Sequence, residues 1–358
     1  MKVLLVLAAA MALAAPGIGL TQTARATLND ACRVASKPVS EQGFVRIGGI
    51  DQWVVIRGQD CANPVLLIVH GGPGNPNTPF ADRLFGEWAK DFTIVHWDQR
   101  GAGKTYGASK PAEDEALTIE RLTQDGIEIA RYATERLGKR KVILMGGSWG
   151  SALAVHMALA EPKLFHAYVG TAQLVNYHAD VAAGYARTLG LARAAGDADS
   201  VAKLEKLMPP PWTDPRSFGV LRRATRKYEA MTSNPAPKDW FIPAPGYDTP
   251  AYEADYEAGE EYSFLQFVGL KGDGMGPAID LPKLGTRFAM PVYLLQGEAD
   301  LVTPPEISRA YFDKLSAPEK EFILMPRTGH DPNIVMLDTQ YRVLKDKVRK
   351  QALAAERQ

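Results

Sequence analysis

A chain of 358 residues with 46% hydrophobic and 23% charged side chains has ordinary globular composition, enough for one large core and an inserted subdomain. Its 41 basic side chains are balanced by 41 acidic ones, so there is no net positive field to hold nucleic acid or an anionic lipid surface. Nucleic-acid and membrane partners are therefore not expected.

The N-terminus carries Lys2, an apolar run over residues 3–15, a Pro16-Gly17 break and the small-x-small site Ala24-Arg25-Ala26. This is the pattern of a secretory signal peptide. The run is too short to span a bilayer well, and no second apolar run of about 20 residues follows it. Residues 1–26 are read as a signal peptide cleaved after Ala26, with the mature protein periplasmic or secreted. The context of Cys32, LNDAC, lacks the small apolar residues of a lipid-attachment site. Only Cys32 and Cys61 are present, and in an exported chain such a pair can oxidise to tie the N-terminal arm to the first buried strand. Two unlinked thiols are the alternative. The six histidines are scattered without zinc-type spacing, so no metal is expected.

FVRIGGI (44–50) and QWVVIRG (52–58) alternate like an antiparallel hairpin. PVLLIVHG (64–71) is a continuous apolar run, the signature of a strand buried on both faces. FTIVHW (92–97), KVILMGG (141–147), FHAYVG (165–170), PVYLLQG (291–297) and EFILMP (321–326) repeat that pattern. Residues 118–138 have helical spacing, with Gly138 as a stop. Strands alternating with helices predict an α/β fold with a mostly parallel sheet. Between about 176 and 286 the rhythm fails; Pro-rich turns, charged patches and many aromatics predict a mainly helical cap rather than a linker. The chain thus divides into core residues 27–175, a cap at 176–286, and a second core part at 287–358.

Chemistry concentrates at strand ends. Gly146-Gly147-Ser148-Trp149-Gly150 fits G-x-S-x-G between a strand and an alanine-rich helix, the context in which a sharp turn exposes a nucleophilic hydroxyl. A serine nucleophile needs a base and a group to orient it. His330 follows the last buried-type strand in MPRTGH, and Asp300 ends the strand before it in LLQGEAD, with Glu298 as the rival acid. The order Ser148, Asp300, His330 is that of the α/β-hydrolase arrangement. His156 and His166 are expected to pack or face solvent, and His178 lies at the start of the insertion. His70-Gly71-Gly72-Pro73-Gly74 suits an oxyanion loop, with the N–H groups of Gly72 and Trp149 as donors and His70 fixing the loop.

WDQRGAGKTYG (97–107) ends like a phosphate loop, but that motif places its first glycine where Asp98 stands, and an acid there repels phosphate. The glycines are instead expected to form a tight turn, with Asp98 and Arg100 bracing the loops around Ser148 and Lys104 contributing little.

HGGPG, WDQRGAGKT, GGSWGSALA, QGEAD and TGH occur in the order and spacing that resemble the prolyl aminopeptidase (proline iminopeptidase) branch of the α/β-hydrolases, over roughly 40–175 and 287–350. The resemblance implies a monomer-sized catalytic unit that needs no cofactor and releases an N-terminal residue, typically proline, from small peptides. It assigns Ser148, Asp300 and His330 to the triad and Gly72 and Trp149 to the oxyanion hole. Members of that branch hold the substrate amine with cap glutamates, one in W-x-x-W-E. Here the matching stretch is ATRKYEAM, without either tryptophan, leaving Glu229; Glu260 in GEEYSF stands nearest to the second. An esterase or amidase acting on a small non-peptide substrate is the alternative with the same machinery.

Overall fold

A computed structural model describes residues 37–112 and 115–357. The expected signal peptide and Cys32 lie outside these residues. Cys61 is buried and disulfide-bonded.

The chain runs β1 (Val39–Ile47), β2 (Ile50–Gly58), β3 (Val65–Val69), α1 (Ala81–Phe85), β4 (Thr93–Trp97), α2 (Gly103–Ala108), α3 (Ile119–Leu137), β5 (Val142–Gly147), α4 (Trp149–Ala160) and β6 (Phe165–Thr171). There follow α5 (Tyr177–Ala194), α6 (Ala198–Leu207), α7 (Arg216–Thr232), α8 (Pro250–Val268), β7 (Val292–Gly297), α9 (Pro305–Lys314), β8 (Lys320–Met325), α10 (Ile334–Val343) and α11 (Arg349–Glu356). One eight-stranded sheet has the order β1-β2-β4-β3-β5-β6-β7-β8. It is parallel from β4 to β8, and β2 is antiparallel to both its neighbours.

The hairpin corrects one sequence expectation. Alternation alone extends the first strand to residue 50, but Gly48 and Gly49 both take positive φ (+56° and +80°). Two such residues make the two-residue turn that matches strand twist, so Ile50 opens β2 opposite Ile47.

Strands β3 to β7 are apolar on both faces because both are covered, whereas β8, expected from its sequence to be buried, is the sheet edge with Leu324 half exposed. Leu67, Val69 and Leu144 face α4 through Ala152 and Leu153, while Leu66, Ile68, Ile143 and Met145 face Trp88, Met336 and Leu344. Each buried aliphatic side chain contributes about 1.5–3 kcal/mol over exposure. Helix α3 begins where the Thr118 side chain accepts from the Arg121 N–H, and it ends at Gly138 in the left-handed conformation.

Between β6 and β7 the described chain is helical, with a core of its own: Tyr185, Leu189, Leu204, Trp212, Leu221 and Tyr228 pack with Leu301 from the loop after β7. Gly259 of α8 lies so close to the body that a Cβ there would stand 3.0 Å from the Gly101 carbonyl and 3.2 Å from Tyr106. The helical segment therefore sits over the carboxyl ends of the strands.

Candidate active site

Ser148 lies between β5 and α4 with φ +53°, a strained value for a residue with a side chain, costing about 1–3 kcal/mol. The flanking glycines permit that turn. A Cβ on Gly146 would stand 2.3 Å from the Gly150 carbonyl oxygen, and one on Gly150 would stand 2.2 Å from the Val69 oxygen. Only bare backbone lets β3, β5 and the start of α4 approach this closely.

The strand ends then bring three side chains into line. The Ser148 hydroxyl meets His330 Nε2 at 2.9 Å, and His330 Nδ1 lies 3.1 Å from both Asp300 oxygens. Asp300 is fully buried and richly supplied with donors: Val302 N–H and Thr303 N–H to Oδ1, and Gln296 Nε2 and Thr303 Oγ1 to Oδ2. Burial pushes its pKa upward, but the His330 charge and these hydrogen bonds outweigh that and leave it below the ordinary value. For His330 burial acts downward and is outweighed by the Asp300 carboxylate, so its pKa is raised above 6.5. An imidazole held by a carboxylate on one nitrogen and a hydroxyl on the other is arranged to take that hydroxyl's proton. Glu298, the rival acid, is exposed.

Facing Ser148 is the loop after β3. Gly72 has φ +106°, and a Cβ there would stand 2.7 Å from the Gly74 nitrogen. Trp149 opens α4, where backbone N–H groups have no partner within the helix. Gly72, Ser148, Trp149, His330 and Glu260 all border one cavity of about 580 Å³ beneath the helical segment. His70 fixes the loop, as expected: its Nδ1 is 2.9 Å from the Gly71 carbonyl while Nε2 accepts from the Gln99 N–H. Both contacts suit the neutral ring, and burial lowers its pKa to about 4.

WDQRG works differently from the sequence reading. The bridge is Gln99: its Oε1 accepts from Trp149 Nε1 at 3.0 Å and its Nε2 donates to the His70 carbonyl at 2.8 Å. Asp98 accepts from Thr78 Oγ1 and from the Lys104 N–H, bracing the loop before α1 and the first turn of α2. Arg100 points away from Ser148, to Asp125 on α3 and the Gly48 carbonyl at the hairpin turn, because Asp125 is a buried acid that requires a cation. Lys104 is also engaged, its ammonium lying 4.3 Å from the Trp53 ring centre and 4.0 Å from that of Tyr247. Gln99 carried no sequence signal beyond its place in the motif.

Of the two cap glutamates, Glu260 borders the cavity. Glu229 does not. Its Oε1 accepts from the Leu301 N–H at 2.7 Å, Arg222 lies 3.6 Å from Oε2, and Gly329 packs against its stem. Buried beneath the loops that carry Asp300 and His330, it braces those loops through the Leu301 N–H. His166 is paired with Glu356 and His156 lies on α4, both away from the cavity; His178 is exposed.

Residues 64–335 match the alpha/beta hydrolase fold family. The chain is 30% identical over 307 residues to the probable aminopeptidase YbaC of Bacillus subtilis, covering 83% of this chain and 93% of that one. It is 25% identical over 291 residues to a probable proline iminopeptidase of Streptomyces coelicolor, covering 76% and 85%. The crystal structure of proline iminopeptidase from Mycobacterium smegmatis shares the fold, with a TM-score of 0.63 at 18% identity over 88% of this chain and 100% of that one. The chain belongs to the α/β-hydrolase family, in its prolyl aminopeptidase-like branch.

Proposed function

We propose that this protein is an exported serine aminopeptidase that releases N-terminal proline or a similar residue from small peptides through an acyl-enzyme. The observation that carries the reading is the hydrogen-bonded series Ser148–His330–Asp300 at the wall of a cavity of about 580 Å³. His330 takes the Ser148 proton as Oγ attacks the scissile carbonyl. The resulting oxyanion is met by the N–H groups of Gly72 and Trp149, and His330 then protonates the departing amine. Water, deprotonated by the same imidazole, releases the acyl group from Ser148. Asp300 keeps the imidazole in the tautomer with its proton on Nδ1 and stabilises the imidazolium. The names of the relatives support a peptide substrate. The N-terminal apolar run and the disulfide at Cys61 support passage into an oxidising compartment.

The test is a panel of aminoacyl arylamides and short-chain p-nitrophenyl esters with the mature protein, using Ser148→Ala as control. Proline arylamide turnover that vanishes in Ser148→Ala is expected. Ester turnover without any arylamide turnover would make it an esterase of the same fold.

A further inference from the structure

The cavity contains an acid that neither the triad nor the resemblance uses. Asp180 lies in the first turn of α5, 1% exposed, and borders the cavity. Its Oδ2 is taken by two backbone donors, the N–H groups of Val175 at 3.0 Å and Asn176 at 2.9 Å. Its Oδ1 is buried without any hydrogen-bond partner among the described residues. A buried carboxylate oxygen left unpaired is costly, and native structures rarely keep one without a use. The cost shows in its acidity: burial pushes the carboxyl up to about 7 against the two backbone donors.

Position narrows the use. Asp180 borders the same cavity as Ser148 and His330, so it stands in the wall around the reacting centre. In an aminoacyl substrate the amine nitrogen and the scissile carbonyl carbon are only about 2.5 Å apart by ordinary bond geometry. Whatever holds the amine must therefore sit beside Ser148 and His330. Glu229 does not border the cavity and already faces the Leu301 N–H and Arg222, and Asp331 is held by Arg222 at 2.6 Å. Glu260 borders the cavity but is exposed, where water screens its attraction for a cation. Gln340 Oε1 is also unpaired in the cavity wall, but it carries no charge.

We propose that Asp180 holds the free amine of the substrate, Oδ1 accepting from the ammonium while Oδ2 stays anchored to Val175 and Asn176. This rests on the aminopeptidase reading and assigns its specificity to a residue at the start of the cap. Entry of the ammonium gives the buried oxygen its missing donor, and the two backbone bonds fix the direction in which it points. A substrate without the amine leaves that oxygen unpaired.

The experiment compares p-nitrophenyl esters of L-proline and of cyclopentanecarboxylic acid, which differ by the ring nitrogen alone, on wild type and Asp180→Asn. Esters acylate a serine hydrolase whether or not it cleaves amides, so the result is independent of arylamide turnover. Wild type is expected to favour the proline ester at least tenfold in kcat/KM. Asp180→Asn is expected to lose that preference through KM, while its turnover of the cyclopentane ester stays within about threefold and its melting temperature shows that it folds. Equal turnover of both esters by wild type, an unchanged preference in Asp180→Asn, or an equal fall on both esters would each overturn the proposal. So would collapse of the preference in Glu260→Gln alone, which would move amine binding to α8. A kept ester preference with no arylamide turnover would sink the peptidase reading and leave this one standing.

Discussion

The indole N–H of Trp149 donates to the Gln99 side chain at 3.0 Å, which joins the residue after the nucleophile to the loop after β3. The other end of Gln99 holds the His70 carbonyl and its backbone N–H holds the His70 ring. One side chain thus sets the distance between the two expected oxyanion donors, Trp149 N–H and Gly72 N–H. Gln99→Ala leaves a buried indole N–H and a buried carbonyl without partners, at about 1–3 kcal/mol each. We expect a matching fall in the urea midpoint and a drop in kcat of about tenfold or more, since misplaced donors act on the transition state. Unchanged kcat in a folded variant would remove Gln99 from the positioning role.

Lys104 ties the cap to the body. Its ammonium rests on Trp53 of β2 and on Tyr247, which precedes α8, and the Trp53 indole also donates to the Tyr247 hydroxyl at 2.9 Å. A partly desolvated cation between two aromatic faces contributes about 1–2 kcal/mol. Lys104→Met, which keeps the aliphatic stem and removes the charge, is expected to lose about that much in chemical denaturation, and Lys104→Ala somewhat more. If Lys104→Ala unfolds at the wild-type midpoint, the cage is not holding the cap.

The central buried strands and the extent of α3 were legible because they follow from local rules: continuous apolar runs for strands covered on both faces, helical spacing over 118–138 and Gly138 as a stop. Ser148, Asp300 and His330 were legible for a related reason, each ending or following a strand whose position the pattern gives. Partner choice inside the fold was not. Arg100 and Gln99 are adjacent, yet one reaches α3 and the other reaches Trp149, and only the three-dimensional placement of Asp125 separates them. Lys104 looked free because Tyr247, 143 positions further along, is invisible to any local window. The Leu301 N–H that engages Glu229 is likewise invisible in its sequence context.

Acid stability should carry the mark of His96. Burial pushes the ring down to about 3, with Arg57 and His70 adding to the effect. In the unfolded chain it protonates near 6.5, so below that pH the unfolded state binds more protons than the folded one. The contribution is fully present above 6.5 and is lost as pH falls toward about 3. Asp98 and Asp180 act in the opposite sense: both are pushed up to about 7 by burial, so their share is present below the ordinary carboxyl range and lost as pH rises through 7. The overall pH slope is therefore a partial cancellation, and the readable quantity is a difference. His96→Leu should gain on wild type steadily as pH drops from 7 to 4, by a few kcal/mol at most, in urea titrations across that range. A constant difference would show that the ring titrates normally in the folded protein.

The activity profile should report the pair His330 and Asp300. In its proposed role as general base His330 works only when neutral, and the Asp300 carboxylate raises its pKa above 6.5 in spite of burial. The acid limb of kcat/KM is therefore expected above 6.5, with activity rising as pH passes through it. Asp300→Asn removes the charge that opposes burial, so desolvation then governs and the limb should move below 6.5. The same change alters the tautomer, because an amide nitrogen cannot accept the Nδ1 proton, and kcat should fall by roughly 10³–10⁴-fold. A limb that stays in place in Asp300→Asn would mean that the titrating group is not His330, and the roles assigned to both residues would have to be withdrawn. Measuring kcat/KM between pH 5 and 9 with an ester substrate keeps the residual activity within reach, since ester acylation demands less of the base than amide cleavage does.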